Sequence, residues 1–251
     1  MLEMNASFFA VTGAAVLFAG VSKGGFGSGA AFASSAILAL FLPPGLALGI
    51  MLPLLMLIDL ATLGPYWKTW HWPTARLLVL GAVPGVVLGA AIYRLAPPDL
   101  IRLLIGTIAL SFVSWQVAQR SGWIKLRAQK LPAGAGVGAG AVAGFTSFVS
   151  HAGGPPVAVF LLSQRLEKTQ FQGTTVLVFW AINACKFVPY AFLGLFTKQT
   201  ALVDIALAPF ALLGTWLGVL AHRWVSERLF FSLTYVMLTL AGLKLIWEGL
   251  T

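Results

Sequence analysis

The sequence predicts an all-α integral membrane protein built from two inverted repeats, each a broken or re-entrant helix pair followed by three further transmembrane helices. Three observations carry this expectation. The chain is 59% hydrophobic and 9% charged, with a mean hydropathy of +0.92, a composition that belongs to membrane proteins. Two apolar runs, Phe8 to Leu42 and Leu131 to Ser163, are interrupted by small polar knots, Ser22-Lys23-Gly24-Gly25 and Ser150-His151-Ala152-Gly153-Gly154-Pro155-Pro156. The two halves also align at a single offset without gaps.

Taken in order, apolar segments lie at roughly 8–21 with 24–42, then 45–66, 76–96, 98–118, 132–149 with 152–163, 172–196, 201–222 and 229–247. The first run as one straight helix would reach about 52 Å, against a hydrocarbon layer of about 30 Å. Each broken run is therefore expected to be two half-helices meeting at a glycine-rich break inside the membrane. Such a break is tolerated only where it is buried in protein or lines a polar cavity. Pro43-Pro44-Gly45, Pro97-Pro98-Asp99, Gly122 and Pro132 punctuate the segments.

At an offset of 129 residues, Gly24 and Gly25 fall on Gly153 and Gly154. Gly85, Leu88, Gly89, Arg94, Leu100 and Leu104 fall on Gly214, Leu217, Gly218, Arg223, Leu229 and Leu233. The expected organisation is one transmembrane domain over 1–251. It comprises repeat 1 (8–118), a basic linker (119–131) holding Arg120, Lys125, Arg127 and Lys130, and repeat 2 (132–250). Loop charges fix the parity. If each broken run crosses once, seven cations face six. If each is an even number of passes or a re-entrant hairpin, ten (Lys68, Arg76, Arg120, Lys125, Arg127, Lys130, Arg165, Lys168, Arg223, Arg228) face three (Arg94, Arg102, Lys198). The second count has the cytoplasmic excess of a real topology, places both termini outside the cytoplasm, and makes the repeats inverted. Crossing and turning back give the same parity.

The polar residues inside the apolar runs are the site candidates. Lys23, about fifteen residues into a run, either snorkels to an interface or, beside Gly24, Gly25 and Ser22, binds an anion. Its glycines would let backbone N–H groups of a half-helix approach that anion. His151 occupies the second knot with Gly153 and Gly154. Pro155 and Pro156 there suit a helix N-terminus, and the histidine is read as an anion donor, a proton acceptor or a hydrogen-bonded structural residue. Lys186 shares a helical face with Asn183 and Tyr190, and needs a structural ion pair or an anionic ligand. Asp59 is expected to pair with Lys186 or Lys23, or with His151 to take a coupling proton. Ser147 and Ser150 are weaker candidates. Asp204, Lys244 and Glu248 lie near segment ends, where an interfacial role is the default. Gly85-x-x-x-Gly89 and Gly214-x-x-x-Gly218 are expected helix contacts, and Trp67, Trp70 and Trp72 with His71 an interfacial belt.

The net charge of +9 resides mainly in short loops, which fits membrane orientation and not nucleic acid. A single cysteine, Cys185, leaves no disulfide framework or cysteine metal cluster. No nucleotide loop, dinucleotide fingerprint, metal-spaced histidine pair or catalytic elbow is present. Met1 to Ser7 carries Glu3 but no Lys or Arg, so the first apolar run is expected to remain in the mature protein.

From His151-Ala-Gly-Gly-Pro-Pro through Leu161, Gln164, Phe171, Gly173, Asn183, Lys186, Tyr190 and Gly194, the chain resembles the TauE/SafE sulfite-exporter family. The likeness covers nearly the whole chain, since that family is also a two-repeat membrane protein with glycine-rich breaks. Lys23-Gly-Gly-Phe-Gly-Ser-Gly is the looser match, its lysine standing in a knot that is more glycine-only in the family. The resemblance implies export of a small anion, sulfite or an organosulfonate such as sulfoacetate. The expectation is then a secondary transporter with alternating access around a midplane site. Its partners would be the anion and the lipid bilayer, with no nucleic acid, cofactor or metal, and a homodimer is left open. Its location would be a bacterial-type inner membrane. The rival readings are an anion channel, or an intramembrane enzyme or assembly factor using His151, Asp59 and Cys185.

Overall fold

The computed structural model describes residues 5–26, 30–124, 130–221 and 226–251. Every regular element among them is helical, and eight helices are long and apolar enough to cross a membrane. In chain order they are α1 (Ala6–Val21), α2 (Phe32–Leu38), α3 (Pro44–Leu63), α4 (Trp72–Leu95), α5 (Pro98–Arg120), α6 (Ala133–Ser150), α7 (Gly154–Ser163), α8 (Lys168–Phe192), α9 (Lys198–Ala221) and α10 (Glu227–Leu250). Local chemistry sets their ends. The Asn5 side chain accepts the Phe8 N–H to cap α1, and Ser226 does the same for Leu229 at α10. Pro44, Pro73, Pro98 and Pro155 occupy first turns, where no helical partner for an N–H is lost.

The second broken run is a re-entrant hairpin. His151, in the left-handed conformation (φ 58°), ends α6, and the Ala152 N–H reaches back to the Thr146 carbonyl. The chain then returns along α6. The Leu131 N–H donates to Ser163 Oγ at 3.4 Å, and Gln164 Nε2 donates to the Leu131 carbonyl at 3.1 Å, so the end of α7 lies beside the start of α6.

The first broken run departs from expectation at its knot. The helix does not break at Gly24-Gly25: α1 continues into a turn of π-helix, Ser22–Phe26, and the second half-helix is the short α2, starting at Phe32. Leu38 and Leu42 share a groove with Asn5, Phe8 and Thr12, so this run also returns toward the end where it began. Both glycines instead serve packing. A Cβ on Gly24 would collide with the Thr215 carbonyl and one on Gly25 with the Gly218 carbonyl, so the π turn and α9 touch backbone to backbone.

Corresponding helices of the two halves exchange partners. α1 packs along α9, and α6 packs along α4; α3 meets α8, and α5 meets α10. Both exchanged interfaces depend on glycine at equivalent places. Gly85 abuts the Ala141 carbonyl of α6, and Gly214 abuts the Leu17 carbonyl of α1. Gly218 faces Val21 in the same way, whereas Gly89 accommodates the Phe148 ring. Large apolar side chains such as Val87, Leu88, Ile205, Leu240 and Leu243 stay exposed, forming a surface suited to lipid.

The described basic loop and helix-end residues divide between the bundle's ends. Lys68, Arg76, Arg120, Lys130, Arg165, Lys168 and Arg228 belong to one end, and Arg94, Arg102 and Lys198 to the other. Lys125, Arg127 and Arg223 lie outside the described residues, so these two linker charges and the Arg94–Arg223 correspondence rest on sequence alone.

Candidate functional site

Three elements bring their buried polar side chains together: the π turn after α1, the C-terminal part of α3 and the middle of α8. Lys23 forms an ion pair with Asp59 Oδ1, and Asn183 Nδ2 donates to Asp59 Oδ2 at 2.7 Å. Of the two partners open to Asp59 in sequence, Lys23 is the one it contacts. Lys23 and Asp59 are 7% and 2% exposed, a burial that an ion pair tolerates only with further hydrogen bonding, here the one from Asn183. The lysine ammonium also lies 5.8 Å from the centre of the Phe179 ring, within cation–π range.

A second cluster is built around Lys186, one turn further along α8. Its Nζ donates to the Ser147 carbonyl at 3.0 Å and to Ser147 Oγ at 2.9 Å, and lies 2.9 Å from His151 Nδ1. His151 Nε2 is 3.3 Å from the Leu48 carbonyl. An ammonium has three donors and no acceptor. All three find acceptors here if Nδ1 is unprotonated, and Nε2 then carries the proton toward Leu48; this assigns the tautomer from its partners. Lys186 is 0% exposed and touches no carboxylate among the described residues. Tyr190, on the next turn, donates to the Phe148 carbonyl at 2.5 Å and presents its ring 6.0 Å from Nζ.

The two clusters differ in access. Lys23, Gly24, Gly25 and Asp59 line a cavity of about 600 Å³ that also reaches Tyr66 and Lys168. Tyr66 ends the turn after α3 and Lys168 begins α8, so the cavity opens at the end with seven described cations. Lys186 and His151 are not in its wall. The second knot is tied to α2, the Ser35 hydroxyl donating to the Ser150 carbonyl at 2.9 Å.

The remaining candidates are placed as follows. Ser22 is buried in the π turn. Gly153 precedes α7 and is wedged against the Ala143 carbonyl, Ser147 and Phe179, so a Cβ there would crowd the turn carrying His151; Gly154 is the buried first residue of α7. Ser147, weak as a sequence candidate, holds Lys186 through two atoms. Asp204 is half-way buried on α9, and its Oδ1 has no hydrogen-bond partner among the described residues. Lys244 and Glu248 form an i,i+4 pair at 3.5 Å, half-exposed as expected near an interface. Trp67 and Trp70 make an edge-to-face pair.

Sequence reasoning missed the cavity wall of α8. Lys168, Gln172, Thr175 and Phe179 continue the face of Asn183, Lys186 and Tyr190 at three- and four-residue spacing. Extending that face toward the N-terminus of the helix was the available signal. Thr215 of α9 had none, because only the approach of α1 brings it to the site.

The arrangement can hold a small anion. It brings together two buried lysines and the Asn183 amide, with Lys23 and Asn183 engaged by Asp59, and no group of three or more His, Cys, Asp and Glu able to hold a metal among the described residues. No curated protein and no solved structure matches the chain. The family model for the sulfite exporter TauE/SafE matches residues 12–245, and with its eight membrane-length helices this multi-pass protein belongs to that family of membrane transporters.

Proposed function

We propose that the protein is a secondary transporter that exports a small sulfur-containing anion, sulfite or an organosulfonate, by alternating access between its two repeats. The observation that carries this reading is the pairing of a cavity ending at Lys23 with a second buried lysine, Lys186, directly behind it. Ionisable residues buried within membrane-spanning segments mark substrate and ion pathways. The site residues are then Lys23, Ser22, Gly24, Gly25, His151, Gly153, Gly154, Asn183, Lys186 and Tyr190, with Asp59 and His151 as the groups available for proton coupling.

The organisation fits this function. Repeats 8–118 and 132–250, joined by the linker 119–131, are read as inverted, so each hairpin enters from its own side and the knots meet near the middle. The end rich in Lys and Arg is assigned to the cytoplasm of a bacterial-type inner membrane. On this assignment the cavity opens to the cytoplasm, and the contact between Ser35 of α2 and Ser150 is read as part of the closure of the other side. Outward movement of an anion from a negative-inside cell is favoured by about 2.3 kcal/mol per charge per 100 mV. A uniporter needs no further energy source, and this reading assigns the protein no enzymatic activity.

Flux into proteoliposomes tests the proposal, with sulfite, sulfate, sulfoacetate and taurine offered in turn, with and without a pH gradient. Saturable movement of sulfite or an organosulfonate is expected. Folded protein that moves none of them refutes the assignment.

A further inference from the structure

Resting on the transport reading above, the wall of the cavity also separates one class of anion from another. We infer that Gln172 is a specificity-determining residue. Its side-chain amide takes the second polar group of an organosulfonate whose sulfonate sits at Lys23, and an acidic second group is preferred to an amine.

The cavity is larger than a bare oxyanion at its inner end would need. Its volume of about 600 Å³ lies within the range of about 300–1,000 Å³ for pockets that enclose whole organic ligands, whereas sulfite is a single sulfur with its oxygens. The polar groups along the wall are not equivalent. The Thr62 hydroxyl donates to the Ile58 carbonyl at 2.9 Å, Thr175 to Phe171 at 2.8 Å and Thr215 to Ala211 at 2.8 Å. Each of these wall hydroxyls therefore spends its single proton on its own helix. Asp59 is engaged at both carboxylate oxygens, by Lys23 and Asn183. Tyr66, Lys168 and Thr169 stand at the mouth. Between the mouth and the inner end, Gln172 is the one lining side chain with polar hydrogens that no acceptor among the described residues uses.

The spacing suits a two-headed ligand. Gln172 and Phe179 share one face of α8 two turns apart, about 10 Å by rise, and the Lys23 ammonium lies 5.8 Å from the centre of the Phe179 ring. Of the three N–H donors of Lys23, Asp59 takes one, and the side chain lines the cavity. Allowing about 3 Å for a hydrogen bond at either end leaves roughly 4 Å for the ligand. That is room for a sulfonate and a second polar group joined by a short carbon chain. One turn nearer the mouth, Lys168 is about 6 Å from Gln172 by rise, within the screening length of about 8 Å at physiological salt. Its charge attracts a carboxylate held at Gln172 and repels an ammonium there. The wall also offers an amine no free carboxylate, since Asp59 is committed at both oxygens. Sulfocarboxylates are thereby favoured over aminosulfonates, and single-headed anions gain nothing from Gln172.

The experiment uses the full chain in proteoliposomes at neutral pH, with sulfoacetate, taurine, methanesulfonate and sulfite each supplied well below saturation. The wild type is expected to move sulfoacetate faster than taurine. Gln172→Leu should lower the sulfoacetate-to-methanesulfonate flux ratio about tenfold, the loss of a hydrogen bond to a charged group, and leave the sulfite-to-methanesulfonate ratio in place. Gln172→Glu should raise the taurine-to-sulfoacetate ratio about tenfold, because a carboxylate then stands where the amide did. Ratios remove any difference in the amount of active protein. A sulfoacetate-to-methanesulfonate ratio unmoved in Gln172→Leu, or a taurine-to-sulfoacetate ratio unmoved in Gln172→Glu, would overturn the role of Gln172 while leaving transport intact. So would wild-type protein that moves taurine as fast as sulfoacetate, or sulfite and no organosulfonate. Gln172 is half-buried and its amide holds no other described residue, so both variants should fold; where one does not, the other decides. Absence of flux for every probe in the wild type overturns the transport reading instead.

Discussion

Lys186 Nζ lies 2.9 Å from His151 Nδ1, and the same imidazole reaches the Leu48 carbonyl through Nε2 at 3.3 Å. The lysine and histidine therefore share one proton-accepting contact and cannot both be fully protonated without losing it. The hairpin turn, α3 and α8 are tied together through that ring.

Removing the ring should therefore affect stability as well as binding. His151→Ala leaves one ammonium N–H buried without an acceptor, an arrangement that costs about 1–3 kcal/mol. We expect a lower melting temperature in detergent and weaker protection by sulfite in the same thermal-shift assay. An unchanged melting temperature would show that the ring is not holding Lys186.

Lys186→Met separates charge from volume. The substitution keeps an apolar stem of similar length and removes the buried cation, so the fold should survive or gain stability, as hydrophobic replacements of buried charges often do. Anion binding should weaken by about tenfold or more, the equivalent of at least roughly 1.4 kcal/mol. Equilibrium binding of radiolabelled sulfite to purified variant and wild type measures the difference.

The exchanged helix interfaces predict parallel behaviour of distant glycines. Gly85→Leu and Gly214→Leu each force a side chain into a facing backbone carbonyl, at Ala141 and Leu17 respectively. Overpacking costs typically about 1–3 kcal/mol and more where backbone is the obstacle. Both variants should lose their monodisperse peak in size-exclusion chromatography. Gly134→Ala, at a position with nothing within 4 Å, should keep it.

Closure of the far side is testable by cross-linking. In a Cys185→Ser background, cysteines at Ser35 and Ser150 would sit where a hydroxyl now donates at 2.9 Å. A short thiol-reactive linker should stop flux while leaving sulfite binding from the cavity side in place. Undiminished flux in the cross-linked protein would mean that α2 and the second knot need not separate, as in a channel.

Orientation can be read directly by cysteine labelling in intact cells. Single cysteines at Lys68 and Lys130 should resist a membrane-impermeant reagent, and one at Lys198 should react. The reverse pattern would turn the protein over and make the cavity outward-facing.

Much of this was legible in the chain. The positions of the long helices follow from apolar runs that have to match a bilayer, and Pro44, Pro98 and Pro155 mark helix starts because proline wastes no donor there. Lys23, Asp59, His151, Asn183 and Lys186 stood out for the same reason: each is too costly to bury in hydrocarbon without a task. The partnerships were another matter. Whether Asp59 would meet Lys23 or Lys186 depended on how α3 and the π turn approach each other across 36 positions of sequence, and no local rule encodes that distance.

By itself, then, the sequence determined the membrane class, the spans, the two knots and the ionisable residues within them, because hydrophobicity, helix length and the cost of buried charge act locally along the chain. Only the tertiary structure decided that both broken runs turn back, that the first glycine pair packs against α9 from inside a continuous turn, and that Ser147 and Thr215 border the site. These outcomes arise from contacts between segments far apart in sequence, where glycine backbones approach closely and each buried donor settles on the acceptor that packing brings within reach.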